Sequence, residues 1–175
     1  MAVERTEFLN YLKDSYTAYY NISDRDESEI PLVFSADYLS RDEKYWLSKK
    51  IPGWANETNE FCYVFSSEFF DRATVSKCID FALNEGLPRV KPHKEHQYTN
   101  IKTVFVASAF DDDALEEIKS RKFSKSYNHS LWGYTDLLTG AVNLSSEKVI
   151  TNRAGDGLKQ YFRKLFKALN AKTKP

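Results

Sequence analysis

Residues 103–107 read Thr-Val-Phe-Val-Ala, a β-branched and aromatic run with apolar side chains on both of its faces. A strand of this kind cannot leave either face in water, so it belongs in the middle of a sheet covered on both sides. The rest of the chain supplies the cover. Phe8, Leu12, Tyr16 and Tyr19 share one face of a helix predicted over 6–20. Val75, Cys78, Ile79 and Ala82 do the same over 74–84, with Gly86 as the stop signal. Asp111 caps a short helix that turns Ala114, Leu115 and Ile118 inward, and the Asp111-Asp112-Asp113 run is read as that cap. Lys119 and Arg121 close this helix, as its dipole favours. A last helix over 156–170 buries Leu158, Phe162, Leu165 and Leu169 and turns Lys159, Arg163, Lys164 and Lys167 elsewhere.

The strands follow from alternation. An acidic loop, 23–29, precedes Pro31, after which Leu32, Phe34, Ala36 and Tyr38 alternate over 32–39. A charged turn at Arg41-Asp42-Glu43 leads to a strand over 44–49, Pro52-Gly53 turns the chain, and Phe61, Tyr63 and Phe65 line a third strand over 60–66. These three suggest an antiparallel meander. A loop spans 88–100; strands are predicted at 130–138 and 141–144, with a short one at 148–151 after a turn. The order is α-β-β-β-α-β-α-β-β-α, with that short strand before the last helix. The class is α/β (α+β), a central mixed sheet flanked by helices, in one domain over 1–175 whose last residues, 171–175, form a flexible basic tail.

This element order resembles the core of the restriction-endonuclease-like fold. That resemblance implies metal-binding acids and an acid-x-Lys triplet on the third core strand. The third strand here, Asn59-Glu60-Phe61-Cys62-Tyr63-Val64-Phe65, has no such lysine, and Glu117-Ile118-Lys119 falls in the short helix. The standard nuclease site is therefore missing.

Other chemistries are excluded by pattern. There is no GxxxxGK[ST] phosphate loop, no GxGxxG after a strand, no GxSxG elbow and no zinc-type cysteine set. Cys62 and Cys78 lie in apolar patterns and read as buried thiols. No apolar run approaches the roughly 18 residues of a membrane span, and residues 1–10 carry no signal-like stretch. The expectation is a cytoplasmic protein with no membrane partner. No motif specifies a cofactor, a metal, a reaction or an oligomeric state.

Two features remain open. The first is charge. The 175 residues balance at 25 Lys/Arg and 25 Asp/Glu, yet 12 of the basic and only 3 of the acidic residues lie from Lys119 onward. Either the two halves pair with each other, or the basic half meets an anion such as nucleic acid. The second is clustering. His93, Glu95 and His96 place two imidazoles and a carboxylate in four residues, a candidate acid–base or transition-metal site. Arg41, Glu43 and Lys44, beside Tyr45, Trp46 and Trp54, form a candidate ligand-binding group, as do Lys122 and Lys125 within a basic, aromatic-interleaved stretch. Three readings follow: a non-catalytic module for an anionic ligand or nucleic acid, an enzyme with an acid–base or metal site at His93, Glu95 and His96, and a protein–protein adaptor.

Taken together, Arg41 to Lys50 with Trp54 and Asn59-Glu60, Pro92 to His96, and Lys125-Ser-Tyr through Leu131-Trp-Gly133 to Thr151-Asn152 resemble a family of small, uncharacterised bacterial proteins common among clostridia. The resemblance runs over 8–152, with Gly133-Tyr134 where the family has Gly-Trp. It carries over no catalytic residue, and implies that these charged stretches belong to one shared site.

Overall fold

The structure, a computed structural model, describes residues 3–25, 29–43 and 55–172. In chain order its elements are α1 (Arg5–Thr17), β1 (Asn21–Asp24), β2 (Leu32–Glu43), β3 (Ala55–Phe70), α2 (Arg72–Gly86), β4 (His96–Phe110), α3 (Asp112–Ser120), β5 (Ser124–Ser126), β6 (Tyr134–Asn143), β7 (Lys148–Thr151) and α4 (Asp156–Lys172). Short 3-10 turns at Leu87–Arg89 and Arg153–Gly155 join them. The strands form one mixed sheet in the order β1-β2-β3-β4-β6-β5, with β7 also on β6. β3, β4 and β6 run parallel, and every other pairing is antiparallel. Parallel neighbours need a crossover, and α2 and α3 supply the two required. The expected mixed α/β architecture, a central sheet flanked by helices, is what the chain forms.

Two cores result. Phe61, Tyr63 and Phe65 of β3, Ile101 and Phe105 of β4, and Leu137 and Ala141 of β6 face α2 and α3. The alternate residues Cys62, Val64, Val104, Val106 and Val142 face α1 and α4. The 103–107 segment sits at the centre, fully buried on both faces. Asp71 and Asp111 cap α2 and α3 by accepting from the backbone N–H groups of Thr74 and Ala114, at 2.8 and 2.6 Å. Both cysteines are buried and free. Burial pushes the Cys62 thiol up to about 11 and that of Cys78 to about 12, so both stay protonated and inert. Among the described residues no helix is long and apolar enough to cross a membrane.

Several boundaries differ from the sequence reading. Arg41, Asp42 and Glu43 are not a turn: they continue β2, opposite Glu57, Asn56 and Ala55. The ladder is made by backbone groups, which every residue type carries, so a run of charged residues does not by itself end a strand. β1, β2 and β3 form an antiparallel meander, whose first member takes its last two residues, Ser23 and Asp24, from the segment read as an acidic loop. The expected strand at 44–49 and the Pro52-Gly53 turn lie outside the described residues. Residues 130–133 are not strand, since Ser130 and Gly133 have φ of 67° and 74°. β6 instead runs unbroken through Thr139-Gly140. Gly86 does not stop α2 by a left-handed turn. It is the buried last residue of the helix, and a Cβ there would come 2.9 Å from Ile101 Cδ1.

Candidate functional site

The strand register gathers most of the candidate residues at one end of the sheet. Arg41 lies opposite Glu57, and Glu57 lies opposite His96, so the three share a row across β2, β3 and β4. Two strand spacings and a two-residue offset put the Glu43 and His96 Cα atoms about 12 Å apart. Lys125 lies opposite Thr135, itself opposite Thr99, and its ammonium sits 5.5 Å from the centre of the Tyr127 ring. Tyr127 in turn packs edge-on to His96 at 6.0 Å. Lys122 is not part of this corner: it lines a groove beside β6 with Ser124, Asp136 and Arg153. Lys44 lies outside the described residues, as do Tyr45, Trp46, Lys49, Lys50 and Trp54.

His93 and His96 are held by hydrogen bonds at every ring nitrogen. His96 is buried, with Nδ1 at 2.7 Å from the Trp132 carbonyl and Nε2 at 2.9 Å from Thr99 Oγ1. A carbonyl can only accept, so the proton sits on Nδ1 and the Thr99 hydroxyl donates to Nε2. His93 accepts the Glu95 N–H at Nδ1 (3.3 Å), so its Nε2–H donates to Glu57 Oε2 at 3.0 Å. The Glu95 carbonyl accepts from the Glu57 N–H at 2.8 Å. In this arrangement both rings spend both nitrogens on groups of the protein. Their visible work is to tie the 88–95 and 127–133 loops to the ends of β3 and β4. Among the described residues, no group of three His, Cys, Asp or Glu side chains converges closely enough to hold a metal ion.

The other face of the sheet carries a site that the sequence reading passed over. α1 and α4 cover only its upper half. Below them lie rows formed by Tyr38, Glu60, Asn100 and Asp136, and by Thr58, Tyr98 and Tyr134. The Tyr98 and Tyr134 rings stack at 5.9 Å. At the boundary is a cavity of about 460 Å³, walled by Tyr16, Tyr20, Tyr161 and Leu158, with Glu60 and Lys102 at its floor. Lys102 is 9% exposed and ion-pairs with Glu60, which also accepts the Tyr20 hydroxyl. Burial, and then the Glu60 carboxylate, push the Tyr20 phenol well above its ordinary value, so it remains a donor. The groove that holds Lys122 and Arg153, also about 460 Å³, shares Ala154 with this cavity. The signal was Lys102 itself, a charge next to the most apolar strand of the chain. Starting that strand at Thr103 left it out.

The ion pairs bear on the two readings of the asymmetry. Arg25–Glu85, Arg89–Asp37, Lys102–Glu60 and Lys77–Glu29 all pair within the acidic part of the chain. From residue 119 onward, among the described residues, Arg121 alone forms ion pairs, with Asp80 and Glu117. The basic half is thus not neutralised by the acidic half through direct pairing.

The sequence profile of a domain of unknown function, DUF8052, matches residues 4–164. The chain belongs to the DUF8052 family. No curated protein and no solved structure matches it. The DUF8052 match contains all seven strands, the histidine corner, the cavity and the groove, so these are features of the domain and not of an appended segment. The likeness to the restriction-endonuclease-like fold remains one of element order.

The DUF8052 corner has a measurable acid limit. The Asn59 amide donates to Glu57 Oε1 at 3.0 Å and, with His93, holds the Glu57 carboxyl below its ordinary 4.5 against the opposing effect of burial. A carboxyl lowered in the fold adds stability above its unfolded pKa, and that stability is lost as pH falls through the folded value. Glu57→Gln is therefore expected to flatten the loss of stability below pH 4.5. Urea midpoints measured between about pH 6 and pH 3 check this. Parallel curves for the two proteins would contradict it.

Proposed function

We propose that this DUF8052 domain is a non-catalytic binding module for an anionic ligand, and that the ligand is single-stranded nucleic acid. The observation that carries the reading is the run of unpaired cations on the basic half. Lys122 and Arg153 line the groove beside β6. Lys159, Arg163 and Lys167 stand four residues apart along α4, one above the other on a helical face. Like charges at this spacing destabilise a helix by about 0.2–0.5 kcal/mol per pair. A phosphate backbone laid along them would turn that repulsion into attraction. The stacked Tyr98 and Tyr134 on the uncovered half of the same sheet face, next to the groove, offer rings on which bases can stack.

Fluorescence anisotropy with labelled single- and double-stranded DNA and RNA tests the reading. A strand that contacts about five cations should bind saturably and lose roughly a hundredfold in affinity between about 50 and 200 mM salt. Lys122→Ala combined with Arg153→Ala should lower the salt slope by about 1.4. Lys125→Ala, across the sheet, should leave it unchanged. Absence of saturable binding at low salt would overturn the proposal.

A further inference from the structure

We propose that the cavity between α1, α4 and the sheet receives the base of a nucleotide, and that Glu60 and Lys102 read its edge. The inference deepens the nucleic-acid reading, and rests on it for the phosphate contacts.

The floor of the cavity is the starting point. Lys102 projects from the central strand on the same face as Val104 and between Cys62 and Leu138 of the neighbouring strands. Packing has no need of a charge there, because replacing a buried ion pair by apolar side chains is often neutral or stabilising. What the pair provides is unused hydrogen-bonding capacity facing a void. Glu60 Oε2 accepts from both Tyr20 and Lys102, whereas Oε1 has no hydrogen-bond partner among the described residues. The ammonium has three N–H groups. One goes to Glu60, one makes a long 3.5 Å contact with Tyr20, and at least one is left. A free acceptor and a free donor therefore lie side by side.

That pairing matches a nucleobase edge, which presents donors and acceptors next to each other in the plane of a ring. Guanine fits best. Its N1–H and N2–H₂ groups suit a carboxylate, and its O6 suits an ammonium. The walls suit a planar ring. Tyr16, Tyr20 and Tyr161 surround the space, and Tyr19, 76% exposed, stands at its mouth. A volume of about 460 Å³ lies within the roughly 300–1,000 Å³ of small-molecule sites. The phosphate has a place to go as well. Ala154 joins the cavity to the groove that holds Arg153 and Lys122. Lys164 follows Gly157 and Tyr161 at positions i+7 and i+3, and so shares their flank of α4.

The source of the base can be a free nucleotide or a nucleotide within a strand, and one experiment separates them. Calorimetric titration of the full chain would use guanosine, adenosine, cytidine and uridine 5′-monophosphates and ribose 5-phosphate. Anisotropy would use guanine-containing and thymine-only strands. Two variants accompany them. A Cβ at Gly157 meets nothing within 4 Å, so Gly157→Leu reaches across the mouth without displacing the core. Glu60→Gln alters the edge reading, and an unchanged Tm for Gly157→Leu keeps the test independent of folding. The expected result is at least about a tenfold preference for guanine, equivalent to one good edge contact, abolished in Gly157→Leu and reduced in Glu60→Gln. Strands that bind with the same affinity whatever their bases, and equally to Gly157→Leu, would overturn the pocket and leave the backbone reading standing. Mononucleotide binding without strand binding would support the pocket and overturn the backbone reading. No binding of either would overturn both.

Discussion

Asn152→Asp, a change of one atom, is expected to cost about 3–5 kcal/mol of stability. β5 pairs with β6 over Tyr134–Asp136 and β7 pairs with it over Gly140–Asn143. Between them, one edge of β6 has no strand beside it. The Asn152 side chain fills the gap as a peptide group would. Its amide nitrogen donates to the Leu137 carbonyl at 2.9 Å and the Arg121 carbonyl at 3.1 Å. Its oxygen accepts from the Thr139 N–H at 3.1 Å and the Gly155 N–H at 2.9 Å. The residue is 3% exposed, so water cannot substitute. Aspartate keeps the two accepted bonds but sets a carboxylate oxygen against two carbonyls and buries a charge with no cation beside it. Arg153 and Ala154 frame the proposed ligand face, and they should lose their placement with it. Equilibrium urea unfolding checks the cost. A loss below about 1 kcal/mol would show that the edge finds other partners.

Gly133→Ala should be nearly as severe, at about 3–4 kcal/mol. Gly133 has φ of +74°, and a Cβ there would stand 2.3 Å from the Gln97 carbonyl oxygen and 2.6 Å from that of His96. Both oxygens belong to β4 and cannot step aside as a side chain could. The loop must lift, and the bond from His96 Nδ1 to the Trp132 carbonyl breaks with it. Thermal unfolding should show the loss. Nitrogen NMR of the imidazoles should show His96 leaving its single Nδ1–H tautomer. A variant with wild-type Tm and an unchanged His96 spectrum would contradict the account.

These two residues also show where sequence reading succeeds and stops. Gly133 and Asn152 both fall within the stretches that mark the family, yet neither announces its task. An asparagine after a short strand looks like a turn residue. Only the distance between β5 and β7 along β6 makes it a substitute peptide. The spacing of His93 and His96 in the chain says nothing about what each ring nitrogen touches; the fold supplies those partners. Lys102 and Glu60 lie 42 residues apart, and no local pattern links them. Their proximity depends on parallel pairing of β3 with β4, which is a property of the crossover through α2.

The sequence by itself determined the layers. A strand apolar on both faces must be central, and four amphipathic helices must cover a sheet, because burial of apolar surface follows from periodicity alone. It also determined the Asp111 cap of α3, since a cap acts within three residues of itself. The tertiary structure alone decided strand register, the fate of each hydrogen-bonding group, and which charges remain unpaired. Those depend on contacts between residues distant in the chain, and they are set by how the strands align once the helices have fixed their direction.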